Sequence, residues 1–238
     1  MDSRPTLYLI PVNLSDAPES HVLPGYNLEL LRRLRHYIVE NVRTARRFLK
    51  RCHRDIDIDS LTFSELNIHT DPASVPAMLE PMKHGEDIGI MSEAGCPAVA
   101  DPGALAVAEA QRRGYRVVPL VGPSSILLSL MASGFNGQGF SFHGYLPIKG
   151  AERERCIKNL ESTARRTRMT QIFIETPYRN DKFLAQLASV LQPSTLLCVA
   201  SGITDPGKES IVTRPAAEWR GCGRSYDKIP TIFLISVP

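Results

Sequence analysis

Residues 87–125 read DIGIMSEAGCPAVADPGALAVAEAQRRGYRVVPLVGPSS. Asp87–Ser92 is a strand-sized apolar run, and Pro102–Arg113 has helical periodicity. Asp101 is a cap candidate for that helix, Pro102 fits its first position, and Gly114 suits a left-handed stop. A second strand follows at Tyr115–Val121. The corner Gly122-Pro123-Ser124-Ser125 then opens another helix. Strand, helix and strand in this order predict parallel pairing, with helices covering the sheet.

Outward toward the N-terminus the alternation continues. Strands are expected at Thr6–Val12, His36–Glu40 and Ser60–Leu66, with helices at Asn27–Arg35, Val42–Cys52 and Ala73–His84. Toward the C-terminus a helix from Ser124 to about Gly134 leads to a strand at Phe140–Tyr145. The helix Ala151–Ala164, the strand Thr170–Glu175 and the helix Arg179–Leu191 come next. Strands at Thr195–Ala200, Ser210–Thr213 and Thr231–Val237 then follow closely, which predicts hairpins in a mixed sheet. The expected fold is two tandem α/β domains, residues 1–121 with a mostly parallel five-stranded sheet and residues 122–238 with a mixed sheet.

Composition narrows the class. Of 238 residues, 43% are apolar and 22% charged, which excludes wholesale disorder. The longest apolar runs, such as Thr6–Val12 and Ile232–Val237, are far short of the roughly 20 residues a membrane span needs. The N-terminus lacks the apolar stretch of a secretion signal, so no membrane and a cytoplasmic location are expected. Five dispersed cysteines without a Cys-x-x-Cys pair argue against a disulfide framework, and no metal site is indicated.

Charge is uneven. Residues 32–54 carry nine Lys/Arg against Glu40 alone, a local +8 in a chain whose net charge is +3. Arg43, Arg46 and Arg47 lie in this stretch and are candidates for a polyanion such as RNA. Solvated helix faces are the alternative. Lys149–Arg168 is a second basic segment, with seven Lys/Arg against three Glu.

Ligands of open α/β sheets sit outside the carboxyl ends of strands. Those ends carry Pro11 to Leu14, Glu40 to Arg43, Ser92 to Pro97, Gly122 to Ser125, Glu175 to Tyr178, and Ser201-Gly202. Met91–Gly103 holds small residues where a ligand could approach the backbone closely. It is neither a dinucleotide fingerprint nor a phosphate loop. Cys96 is a poor nucleophile candidate, because the next residue, Pro97, has no N–H for an oxyanion. Ser124 and Ser125 could hold a ligand or cap a helix. Glu175 is an acid candidate whose simpler use is an ion pair with Arg179, and His143 reads as a satisfied core histidine.

Taken together, the strand-end segments resemble the tetrapyrrole (corrin/porphyrin) methylase superfamily. The resemblance is strongest to the branch that methylates ribose 2′-hydroxyls of small-subunit ribosomal RNA. That branch reads Ser-Asp-Ala-Gly-x-Pro-x-x-x-Asp-Pro-Gly. Here Glu93 stands for the Asp, and the rest matches from Ser92 to Gly103. Leu7 to Pro11 with Asn13-Leu14, Gly144 to Pro147 with Lys149, and Phe173 to Arg179 extend the match in one order along the chain.

The resemblance implies an S-adenosylmethionine-dependent methyltransferase, usually a homodimer, with the cofactor in a cleft between the domains. By position it places the cofactor against Pro11, Met91, Ser92, Glu93, Ala94, Gly95 and Pro97. Ser124, Ser125, Glu175, Thr176, Ala200, Ser201, Gly202 and Pro230 complete the set. There are departures. Val12 replaces a glycine, and the branch's Glu-Asp-Thr-Arg becomes Glu40-Asn41-Val42-Arg43. Its Ala-Arg-Glu-Leu-Thr-Lys becomes Ala200-Ser201-Gly202-Ile203-Thr204-Asp205, and the C-terminal extension of many members does not follow.

A ribose hydroxyl is a poor nucleophile and calls for a base, for which Glu40, Asp101 and Glu175 are the candidates. RNA or the small ribosomal subunit is the expected substrate. A tetrapyrrole ring carbon, or a non-catalytic relative that binds S-adenosylmethionine or RNA, are the alternatives.

Overall fold

A computed structural model describes residues 4–237. Contacts divide the chain into a first unit ending at Ser124 and a second beginning at Ser125.

In the first unit, five strands form one sheet: β1 (Thr6–Leu9), β2 (His36–Val39), β3 (Thr62–Glu65), β4 (Ile88–Met91) and β5 (Arg116–Pro119). Their order is β3-β2-β4-β1-β5, and every pairing is parallel. Both faces are covered, which explains the near-continuous apolar strands. Helices α1 (Glu19–Val22), α2 (Gly25–Leu31) and α3 (Val42–Cys52) belong to the layer built around Tyr8, Ile10, Leu31, Tyr37, Phe48 and Leu49. Helices α4 (Val75–Met78), α5 (Glu80–Lys83) and α6 (Gly103–Arg112) belong to the opposite layer, around Leu7, Ile38, Leu79, Met82, Ile90 and Ala106.

In the second unit, α7 (Ser125–Ser133) precedes β6 (Phe140–Tyr145), α8 (Gly150–Thr167), β7 (Thr170–Ile174) and α9 (Asn180–Val190). Strands β8 (Leu196–Ser201), β9 (Ser210–Pro215) and β10 (Thr231–Ser236) complete a sheet of order β6-β7-β10-β8-β9. Only β6 and β7 run parallel; β10 and β9 pair antiparallel with their neighbours. Phe173, Phe183 and Phe233 pack as offset and edge-on rings at 5.1–6.4 Å in the core beneath α8 and α9. The parallel first sheet and mixed second sheet match the expected fold class.

The differences have local causes. The helix expected over Ala73–His84 is three short pieces, a 3₁₀ turn at Pro72–Ser74 followed by α4 and α5. Pro76 and Pro81 each sit at a helix start, where their missing N–H is tolerated, and neither can continue the turn before it. The first strand stops at Leu9 rather than Val12, and Val12 instead forms an isolated bridge to Gly95. Helix α1 has only four residues and no periodic signal. The expected C-terminal stop of α6 is present, with Gly114 at φ +72°.

Candidate functional site

The parallel register sets the carboxyl ends of β1, β4 and β5 side by side. Ile10 N–H donates to Ile90, and Leu120 N–H donates to Leu9, at 2.9 and 3.0 Å. Beyond them Val12 and Gly95 exchange two backbone hydrogen bonds of 2.9 Å. Gly95 has φ +73°, and a Cβ there would stand 3.2 Å from Leu14 and 3.6 Å from the Pro123 carbonyl. Gly122 lies so close to Pro11 that a Cβ would fall on the proline ring. Pro11, Met91, Ser92, Gly95 and Pro97 are thus brought to one edge of the first sheet, all buried, with Glu93 and Ala94 exposed beside them. Cys96 belongs to the packing here. Its thiol donates to the Pro123 carbonyl at 3.4 Å, and burial raises its pKa.

After Gly95 the chain takes two left-handed alanines, Ala98 and Ala100. Asp101 holds this bend. One carboxylate oxygen accepts from Ala98 and Gly103 N–H at 3.0 and 2.7 Å, which ties the bend to the first residue of α6. The N-cap itself is Pro102, one residue later than the sequence suggests, and it has no side-chain cap bond, so Asp101 is not the cap and Pro102 is not the first helical residue. Burial still pushes the Asp101 carboxyl up, against these backbone bonds. Two buried acceptors on this edge, Asp101 Oδ2 and Asn13 Oδ1, have no partner among the described residues. Buried polar atoms demand partners, so amino or hydroxyl donors of a ligand fit here.

The start of α3 lies beside this edge. Glu93 N–H donates to Glu40 at 3.0 Å, and the Thr44 hydroxyl donates to Glu93. The Glu40 pKa is raised, first by burial and then by the Asp101 and Glu93 carboxylates, against the Glu93 N–H. Asn41 caps α3, its side-chain oxygen accepting from Arg43 and Thr44 N–H at 2.9 and 3.2 Å. That role needs an acceptor and no charge, so the Asp-to-Asn departure preserves it. A hydroxyl also persists, at Thr44 in place of position 42.

On α3, Arg46 pairs with Asp59 at 2.5 Å and Arg51 with Glu19 at 2.6 Å. Lys50 donates to the Arg54 and Ile56 carbonyls. The Arg43 and Arg47 side chains are exposed and have no partner among the described residues. Arg43 is in the first turn, which carries no acid. A cation there opposes the helix dipole, so it gains nothing from the helix itself.

The second sheet gathers another set. Ile232 is in register with Ile174 and with Ala200, so Glu175, Thr176, Ser201, Gly202 and Pro230 share one edge. Gly202 N–H donates to the Pro230 carbonyl at 2.9 Å. Glu175 is buried and pairs with Arg153 at 3.1 Å, while its other oxygen accepts from Thr176 N–H at 2.7 Å. The expected partner Arg179 does not pair with it; Arg153, 22 residues back on the first turn of α8, takes that place. His143 is not the satisfied core histidine the sequence suggests. It is exposed on β6 and bonded to the Gln171 amide at 2.8 Å, so it is no core residue. Ser124 ends the first unit and Ser125 opens α7. Among the described residues, no group of His, Cys, Asp or Glu could hold a metal ion, and no helix is long and apolar enough to cross a membrane.

A ribosomal RNA small subunit methyltransferase I from Vibrio cholerae serotype O1 is 30% identical over 220 residues, covering 91% of this chain and 71% of that protein. Among solved structures, the methyltransferase CobJ superposes with a TM-score of 0.62 at 17% identity, covering 98% of this chain and 93% of that one. A uroporphyrin-III C-methyl transferase from Thermus thermophilus, solved with bound S-adenosylhomocysteine, gives 0.59 at 16% identity and 97% coverage of each chain. No protein-family model matches the chain.

Proposed function

Because the chain belongs to the family of ribosomal RNA small subunit methyltransferase I, it is a methyltransferase, and we propose that it moves a methyl group from S-adenosylmethionine to a ribose 2′-hydroxyl of small-subunit ribosomal RNA. The observation that carries the reading is the strand-end turn of small residues at Gly95, where a side chain would crowd Leu14 and the Pro123 carbonyl. Within the first unit, Pro11, Met91, Ser92, Glu93, Ala94, Gly95, Pro97 and Ser124 are the proposed donor contacts. Ser125, Glu175, Thr176, Ala200, Ser201, Gly202 and Pro230 are the candidates within the second. Bound there, the cofactor supplies a methyl carbon on a sulfonium, whose in-line displacement depends chiefly on positioning.

The chain's own chemistry is proton removal and RNA binding. Of the three base candidates, Glu175 is committed to Arg153, and Asp101 to the backbone of its own loop. Glu40 is half-buried and spends one oxygen on a single N–H, so it is the base we favour. Its pKa lies above the ordinary 4.5, and a base works only when deprotonated. Methyl transfer therefore rises with pH as Glu40 ionises. Glu40→Gln loses that acid limb and lowers kcat by about 10²-fold or more, with cofactor affinity unchanged. A pH profile of the variant that keeps the limb removes Glu40 from the role.

Arg43 and Arg47 take RNA phosphates, with Arg46 beside them. Replacing both Arg43 and Arg47 with Ala lowers the slope of log affinity against log salt by about two for small-subunit binding. An unchanged slope places the RNA elsewhere. The same reading puts the protein in the cytoplasm as a homodimer, which the superfamily resemblance supports. The deciding experiment is tritiated-methyl transfer to small ribosomal subunits, with alkali resistance of the adjacent phosphodiester locating the product on a ribose. Transfer to a porphyrin-type ring in place of RNA overturns the reading.

A further inference from the structure

We propose that Tyr145 and Tyr178 are a stacking platform for unpaired RNA bases, with Lys149 and Arg179 taking the flanking phosphates, an inference that rests on the RNA methylation proposed above. One ring ends β6 and the other lies in the turn that follows β7, its parallel neighbour. Tyr145 ends β6 in register with Ile174 of β7, after a bulge at which Gly144 takes φ +63°. Tyr178 lies four residues beyond Ile174, in the 3₁₀ turn Pro177–Arg179. Both therefore sit at the sheet edge that carries Glu175 and Thr176.

Their exposure separates them from Tyr226, the other tyrosine of the second unit, although Tyr26 of the first unit is exposed as well. Tyr145 is 62% exposed and Tyr178 74%, whereas Tyr37 and Tyr226 are almost fully buried and the Tyr37 hydroxyl donates to the Leu31 carbonyl. Neither exposed hydroxyl has a partner among the described residues, nor do the side chains of Lys149 and Arg179. The one acid within these two loops, Glu175, is spent on Arg153. The edge thus presents two open aromatic faces and two uncompensated cations. That is the chemistry that binds single-stranded nucleic acid, in which bases stack on rings and phosphates meet cations. A protein partner is the competing occupant, since Ile148 is exposed in the loop that follows Tyr145; the cations beside the two rings favour RNA.

The test compares the Tyr145→Ala/Tyr178→Ala double variant with the corresponding Phe double variant, using small ribosomal subunits and a 5-bromouridine-substituted small-subunit RNA. In the wild type, ultraviolet cross-links map to Tyr145 or Tyr178. The Ala pair raises KM for subunits roughly tenfold or more and leaves S-adenosylmethionine binding unchanged, because only stacking is lost. The Phe pair restores KM to within about twofold, since its rings keep the π-face. An unchanged KM in the Ala pair overturns the proposal, as does a wild-type cross-link map confined to α3. An Ala pair that changes the oligomeric mass and not RNA affinity overturns it in favour of self-association. Intact cross-links without methyl transfer by the wild type support the platform and strike only the proposed activity.

Discussion

A Gly95→Leu variant should bind S-adenosylmethionine and S-adenosylhomocysteine at least about 100-fold more weakly than the wild type and lose methyl transfer in proportion. Gly95 sits at φ +73°, a conformation that costs a side-chain-bearing residue about 1–2 kcal/mol. Its first side-chain carbon already stands 3.2 Å from Leu14, and three further carbons must find room beside the Pro123 backbone. The Val12–Gly95 bridge fixes the turn on both sides, so the strain has little means of relaxing locally. Calorimetric titration reads the loss. Gly95→Ala separates strain from obstruction, because one methyl group needs only a small shift of the flexible end of Leu14. Ala is expected to retain measurable affinity, and thermal melts of both variants show that the first sheet persists. If the Leu variant binds either compound within threefold of wild type, the donor does not lie on this turn.

The parts of the fold legible in the sequence were those set by continuous local patterns. Apolar runs of β-branched residues placed the strands of both sheets, and helix α3 coincides with the expected Val42–Cys52 because one face repeats apolar residues at Ala45, Phe48 and Leu49. Over residues 72–83 the apolar spacing points to one helix, but Pro76 and Pro81 break it, because a proline inside a helix removes a hydrogen bond and crowds the preceding turn. Helix α1 is too short for any periodicity to reveal it.

The candidate site divides along the same line. Gly95, Gly122 and Asp101 were visible as a glycine- and proline-rich strand end. The left-handed Ala98 and Ala100 were not, since nothing in alanine's identity marks φ > 0. Asn41 read as the loss of an acid, whereas its use is to cap α3, a role in which the amide oxygen serves as well as a carboxylate. Of the basic stretch, charge counting could not tell Arg46, tied to Asp59, from Arg43 and Arg47, which make no ion pair among the described residues. Pairing is a tertiary property. The same limit explains Glu175, whose nearest cation in sequence is not its partner in space.

That ion pair carries the largest expected effect on stability. Arg153 meets Glu175 at 3.1 Å with side chains 16% and 7% exposed, and its guanidinium lies 5.5 Å above the Phe183 ring. Arg153→Ala leaves a buried carboxylate with only the Thr176 N–H to compensate it, and removes the cation from the aromatic face. Stranding one member of a buried pair typically costs about 3–5 kcal/mol, far more than the pair itself contributes. Trp219 is the only tryptophan in the chain and is buried in the second unit's core, so its fluorescence in a urea titration reports that unit. The midpoint should fall sharply in Arg153→Ala. The double variant Arg153→Met/Glu175→Gln should recover most of the loss, because the uncompensated charge is gone and the methionine refills the space over Phe183. If the single and double variants are equally destabilised, the cost lies in packing and not in the stranded charge. If neither moves the midpoint, Arg153 and Glu175 are not a buried pair, and Glu175 is free to act at the sheet edge where Thr176, Ser201 and Pro230 meet.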